Sequence, residues 1–542
     1  MTVTICVRRI LSFFALSTIL FAAGCPNRGN RSGGNILRYA LQTRPTQLDP
    51  ARVEDGDTID MIQQVFEGLV RWNEKNEVVP NIAEKIDLSP DGTVYTFHLK
   101  DGVKFHNGRK LTANDFVYSL TRVVSDPKSP TAMTYLDDLV GARDLNKAAA
   151  AASNSHEPLK SPTLPGIKAV DDRTLQITID KRRPYFLAKL TYPTAYVVCR
   201  EAVEANGGIV DEKAMIGTGP FKLREYQPGY AVKLVANREY HGGAPVLDGI
   251  ERPILNDTMT RQNKFESGGT DYTDVQRSDI ERIKKDPVLG PELKEFTRAN
   301  VWYLAMNQLV FEPFKKRDVR RAFAMAINKD ELIRLALHGT AMRANGILPP
   351  GVPGHDPSFQ GLPYNPQEAR KLLAGAGYTP KTFPRLTLSF RQGYQHIADA
   401  VLAIRNDLKQ NLGIEVDTRQ VEWSQFLSER HNGTMPCFHL RWAADYVDPQ
   451  NFLSLMLHTG AEENKVGYSS PEFDSLCDRA DVEPDPKKRA DLYHQAEEVV
   501  VEDAPWVAIY FLPEVELHKP YVKGIRDSLM GHLPHVTTTV AR

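Results

Sequence analysis

Past its first two dozen residues, the chain has no hydrophobic run long enough to cross a bilayer as a helix, which takes roughly 20 apolar residues. Cysteine is scarce, five in 542 residues, and no two stand in a Cys-x-x-Cys pair. That excludes a disulfide-built scaffold and a zinc ribbon. Charge of one sign is also missing: 67 Lys and Arg against 68 Asp and Glu leave a net charge of −1. A chain so balanced has no electrostatic footprint for nucleic acid. There is no G-x-S-x-G, no H-E-x-x-H and no phosphate-binding Walker loop. His98 and His106 flank a turn without a third ligand at metal spacing, so they read as strand or surface histidines. Nothing picks out a catalytic pair, a metal or a cofactor, and the expectation is a protein that is not an enzyme.

What is present begins with an export signal. Arg8 and Arg9 precede an apolar stretch, Ile10 to Ala23, too short to span a membrane. It closes as Leu20-Phe21-Ala22-Ala23-Gly24-Cys25, small residues ahead of a cysteine. This ending resembles a bacterial lipobox, with Ala22 where Leu is most usual, and implies that Cys25 becomes the lipidated N-terminus. Residues 26–34 are polar and Gly-rich and read as a tether. Without residues 1–24 the balance is 65 basic to 68 acidic, about −3. Of the cysteines left, Cys199, Cys437 and Cys477 allow at most one bridge, and a Cys437–Cys477 pair is permitted but not demanded.

The length requires at least two domains. Residues 37–42 form a strand candidate, and apolar residues at helical spacing predict a helix from Asp57 to Leu69. Tyr95, Phe97 and Leu99 alternate with polar residues as in a half-buried strand, Asp101-Gly102 makes a turn, and Thr112 can cap the next helix. Residues 148–165, rich in Ala, Ser and Pro, read as a surface loop. Gly217-Thr218-Gly219-Pro220 reads as a strand entry rather than a phosphate loop. Helices are predicted over 318–337, from Asn365 with Pro366 in its first turn, from Ser470, and over 486–502.

The densest stretch is Trp423-Ser424-Gln425-Phe426-Leu427, then Arg430-His431-Asn432-Gly433-Thr434, then Trp442-Ala443-Ala444-Asp445-Tyr446. The small Ala443 and Ala444 leave room beside two aromatics, so Asp445 can stand at a cavity wall. A buried carboxylate there needs a cation. On residue types alone, Trp442 as core and Asp445 as a turn residue explains the same letters. The spacing W-x-x-F-L-x-x-R-H-x-G-T followed by W-x-A-D-Y resembles the oligopeptide-binding proteins of the extracellular solute-binding family that feeds ABC transporters. The run from Tyr95 to Leu120 and the G-T-G-P-F strand entry resemble the same family.

The resemblance implies an α/β, two-lobed periplasmic-binding-protein-like fold with mixed sheets. A hinge of two crossing strands, near Asn307 and over Pro505 to Tyr510, and an extra domain on one lobe belong to it. Its expected boundaries are a signal over 1–24, the lipidated cysteine and tether over 25–34, and lobe I over 35–75, 190–300 and 508–542. The extra domain takes 76–189 and lobe II 301–507. The implied partners are an oligopeptide ligand, the membrane permease subunits of an ABC transporter, and a membrane through the lipid anchor. The protein is expected to be a monomer, extracytoplasmic, in the periplasm or at the cell surface. Asp445 would bind the peptide α-ammonium, with Trp442, Ala443 and Tyr446 as wall and the loop to Gln47 near the peptide main chain. His396, Arg430 and His439 are the candidates for its carboxylate, with His439 standing where the family has Arg. Arg441 is expected to face solvent, because side chains alternate along a strand. The alternatives are the same fold with a metal chelate, haem or oligosaccharide, or a receptor that does not transport.

Overall fold

The computed structural model describes residues 34–542 apart from 157, 158 and 160. The expected signal, Cys25 and nearly all of the tether lie outside the described residues. Among those described, no helix is long and apolar enough to cross a membrane.

The alternating stretch forms the strand Val94–Leu99, which buries Tyr95, Phe97 and Leu99 as the pattern requires. It lies inside an antiparallel sheet with Ala83–Leu88, Thr174–Thr178 and Ile167–Asp171. Thr112 and Asp115 form a capping box on the helix Ala113–Val124, which packs Phe116 and Leu120 into the same core. Beside it stands a second four-stranded sheet: Ile36–Arg38 parallel to Gly249–Pro253, then Ala231–Ala236 and Phe221–Gln227 antiparallel. Gly217 and Gly219 feed Phe221 into this sheet. A Cβ on either would lie 1.9 Å and 2.7 Å from the Val65 carbonyl oxygen, so the glycines serve a close approach to a helix end, not a phosphate. His106 is tied to the same turn, its Nε2 3.0 Å from the Gly219 carbonyl.

The other lobe is built on a mixed six-stranded sheet. Its order is Met342–Arg343, Trp506–Phe511, Asn300–Met306, Cys437–Ala443, Leu386–Arg391 and Val416–Val421. The two strands Asn300–Met306 and Trp506–Phe511 are buried throughout, as unbroken apolar runs should be. Each continues from a strand of a separate three-stranded sheet, Leu293–Phe296 and Glu514–His518, which also holds Tyr272–Asp274. The crossings between sheets are therefore residues 297–299 and 512–513. They lie at the opposite end of these strands from Asn307 and Pro505, where the sequence put the hinge, and residues 508–511 belong to the six-stranded sheet. The Asn300 side chain joins the two crossings: Nδ2 donates to the Leu512 carbonyl at 2.8 Å and Oδ1 accepts from its N–H at 3.1 Å.

Three further expectations change. Residues 148–155 are not loop but the second half of the helix Ala142–Ser155, because an alanine run is the best helix former when one side finds a core. Ala142 and Ala149 supply that side. The helix expected over 318–337 is two, Arg317–Ala326 and Lys329–Ala336, broken where the Asn328 side chain accepts from the Glu331 N–H and caps a new start. The first helix is shorter than expected, Gly56–Val65. Cys199, Cys437 and Cys477 are all free and buried.

Candidate ligand-binding site

The lobes enclose a cavity of about 530 Å³, within the range that holds small ligands. Asp445 reaches its wall just past the strand Cys437–Ala443, beside Ala443 and Ala444. Asn451 sets the turn: its Oδ1 accepts from the Asp445 N–H at 3.2 Å and from Trp442 Nε1 at 3.1 Å. Across the cleft, from the domain that holds the antiparallel sheet, the Tyr135 hydroxyl donates to Asp445 Oδ2 at 2.6 Å. Tyr135 is itself stacked on Tyr192, with ring centroids 3.9 Å apart.

Burial drives the Asp445 carboxyl up to about 7, and the bonds from Tyr135 and Asn451 only partly oppose it. Among the described residues, no cation is paired with Asp445. Arg430, the nearest by electrostatic effect, gives Nη2 to Glu463 Oε2 at 2.7 Å. Glu54 also opens on this end of the cavity, its carboxyl raised by burial and then by Glu463. Three carboxylates thus stand near one guanidinium that is already paired.

The opposite character gathers around His396. Burial, then the charges of Arg277, His439, Arg441 and Arg391, bring its imidazole down to about 3, so it is neutral. Burial does the same to His439, which stacks on Trp302 at 5.4 Å. The two histidines line the cavity as expected, but as uncharged groups rather than the cations the sequence offered. Arg277 Nη1, and Nε and Nη2 of Arg391, are buried without a hydrogen-bond partner. The Arg391 guanidinium lies 4.2 Å over Trp423 and 4.8 Å over Tyr394. Arg441 is exposed, as expected, and also borders the cavity. It pairs across the sheet with Trp302 and shares a strand face with His439, and this face looks into the cleft. Its guanidinium is 6.0 Å over the Trp302 ring.

Of the other sequence candidates, Trp442, Ala443 and Arg430 line the cavity. Tyr446 is fully buried in the core around Phe97 and Phe116, where its hydroxyl bonds Gln450. Gln47 borders a separate cleft with Arg52 and Arg122, whereas Gln42 reaches the main cavity and accepts from the Tyr394 hydroxyl of the other lobe. Sequence reasoning missed Tyr135, Glu54, Glu463, Arg277 and Arg391. No local pattern marks them, since Tyr135 is 310 residues from the carboxylate it touches.

A ligand cavity between two α/β lobes joined by two crossing segments defines a periplasmic solute-binding protein. The family model described as bacterial extracellular solute-binding proteins, family 5 Middle, matches residues 77–464, and the chain belongs to that family. It is 31% identical to a probable deoxycholate-binding periplasmic protein of Escherichia coli, over 93% of each chain. It is 29% identical to a dipeptide-binding protein of Bacillus subtilis, over 94% of this chain and 93% of that one. Among solved structures it superposes on the murein tripeptide binding protein of Escherichia coli with a TM-score of 0.85, at 27% identity, covering 94% of this chain and 99% of that one. Against an unliganded open form of a murein tripeptide binding protein the TM-score is 0.68, at 26% identity and the same coverage. The lobes here are arranged differently from that open form, consistent with the Tyr135–Asp445 bond across the cleft. The relatives are solute-binding proteins, not enzymes.

The Asp445 carboxyl has a testable effect on ligand-free stability. Its folded value, about 7, lies above its ordinary 3.8, so the folded state holds a proton that the unfolded chain releases. Wild-type stability should therefore fall as pH rises from about 4 to about 7, by up to a few kcal/mol. Asp445→Asn cannot ionise. Its stability relative to wild type should rise across this window and be level on either side. Urea unfolding of ligand-stripped protein at pH 5 and pH 8 checks this, and an equal difference at both pH values would contradict it.

Proposed function

We propose that the protein captures oligopeptides in the interlobe cavity by their free α-ammonium and delivers them to an ABC transporter. The observation that carries the reading is Asp445, a carboxylate at the wall of the interlobe cavity with no cation paired to it among the described residues. A peptide N-terminus provides that cation. Glu54 and Glu463 add to the field that favours it, and the guanidinium groups of Arg277, Arg391 and Arg441 offer donors for carboxylates farther along. Trp302, Trp423 and Trp442 supply apolar wall for side chains. The dipeptide- and murein-tripeptide-binding relatives support a peptide ligand. Export, with Cys25 lipidated and holding the protein at a membrane surface, completes the reading. Radiolabelled fatty acid should enter the wild type and not Cys25→Ser, and label retained in the variant would remove the anchor.

A second reading comes from the relative named for deoxycholate, an amphipathic anion. The aromatic, arginine-lined end of the cavity suits such a ligand, but the carboxylates at the Asp445 end do not.

The two readings part at the ammonium. Truncating one member of a buried charge pair costs roughly 2–5 kcal/mol. At about 1.4 kcal/mol per tenfold, that is a loss of roughly 30- to several-thousand-fold. Asp445→Asn should weaken peptide binding in this range while the thermal melt stays cooperative. N-acetylating the peptide should do similar damage to the wild type and little further damage to the variant, because both changes remove one contact. Acetylated and free peptides binding the wild type equally would overturn the proposal.

A further inference from the structure

A second cluster in the first lobe has no part in the ammonium site. Glu516 and His518 are two residues apart on the strand Glu514–His518 and share one face of it. His532 comes from the hairpin of Asp527–Ser528 and Gly531–His532, folded over the same sheet. His518 Nε2 lies 2.6 Å from Glu516 Oε2, and His532 Nε2 lies 2.9 Å from the same oxygen. The available ligand atoms of the three residues are all within 4.8 Å of one another. Their side chains are nearly buried, between 7% and 11% exposed. The rings of Tyr272 and Phe296 pack around both imidazoles, at 5.1–5.7 Å between centroids.

His532 stands between two carboxylates. Its other nitrogen, Nδ1, is 2.9 Å from Asp527 Oδ1, and Asp527 is gripped on both oxygens by Arg298 at 2.9 Å. Burial opposes the charge, but Glu516 and then Asp527 raise the imidazole to about 10, so without a metal His532 is protonated and meets Glu516 as an ion pair. A divalent cation would take the place of the proton on Nε2. Arg298 serves Glu514 and Asp527, and Glu516 is bonded by the two histidines. A carboxylate behind a histidine that aims its other nitrogen at a common point is the arrangement that orients metal ligands.

The geometry points to a divalent metal site of the zinc class at Glu516, His518 and His532, open to the ligand cavity. Imidazole and carboxylate donors suit zinc and its neighbours rather than calcium or magnesium. Ligand atoms about 2.05 Å from a tetrahedral zinc are about 3.3 Å apart, so the Glu516 oxygen, 2.6 and 2.9 Å from the two nitrogens, would draw back from each by about half an ångström. Three protein ligands leave a fourth position. Glu516 and His532 line the main cavity, so that position faces the space where the captured solute sits, and a donor group on the solute can complete the coordination. The sequence hid this set because His532 is 14 residues from His518 and the ligands follow no metal-binding spacing.

Zinc alone is the probe, titrated by calorimetry into the full chain after chelator treatment and dialysis. One equivalent should bind to the wild type, and cobalt in its place should give visible absorption bands of a nitrogen- and oxygen-ligated ion. His518→Gln and His532→Gln should each lose at least tenfold in affinity. Asp527→Asn, which weakens the hold on His532 without removing a ligand, should lose roughly 10–100-fold. A wild type with no saturable one-to-one zinc binding would overturn the inference, as would both histidine variants binding zinc like the wild type. Cobalt spectra of the wild type without imidazole ligation would do so even if a variant failed to fold. These titrations contain no peptide, so their failure leaves the reading of Asp445 untouched.

Discussion

A carboxylate buried at a cavity wall, with the guanidinium nearest it already paired to another acid, is the constraint on which the binding architecture depends. An isolated buried charge is costly, so the empty site holds Asp445 near the point where it gives up its ionised form. Tyr135 relieves part of that cost by donating across the cleft. The same bond therefore does two things: it tempers the carboxylate and links the two lobes. A ligand that brings its own cation replaces a costly charge with a pair, so closing around it becomes favourable.

The rest of the cavity follows the same logic of charges settled or left open. Arg430 is neutralised by Glu463 and so cannot quench Asp445, although it stands close. At the other end, the histidines are neutral, His439 stacked on Trp302 and His396 edge-on to it, while the open donors belong to Arg277 and Arg391. The result is a cavity with an acidic and a basic end separated by aromatic wall, which suits a molecule with opposite charges at its ends. The chain passes between the lobes that bound it through two short crossings. Asn300 binds one crossing to the other with two hydrogen bonds, so the two segments are coupled and can bend as one.

Much of this was legible in the sequence where physics is local. The alternation of Tyr95, Phe97 and Leu99 gave a strand, and Thr112 gave a cap. Asp445 stood out because small residues beside aromatics leave room for a ligand. Long-range placement was not legible. The alanine run at 148–155 was taken for loop because its composition says nothing about the core it would meet. Arg441 is exposed as alternation predicts, but that its strand face borders the cleft depends on the opposite lobe. His396 and His439 were read as cations because charge state depends on burial, which the letters do not carry. Tyr446 sits in the motif yet serves the neighbouring core.

The central claim is that the natural solute carries a free ammonium group to Asp445. The most direct measurement is mass spectrometry of molecules released from protein purified from its own cells without refolding. The account predicts co-purifying oligopeptides with unblocked N-termini, lost or strongly depleted when the same purification is made with Asp445→Asn. Recovery instead of a solute without an amine, such as a steroid acid or a haem, or of peptides retained equally by the variant, would contradict it.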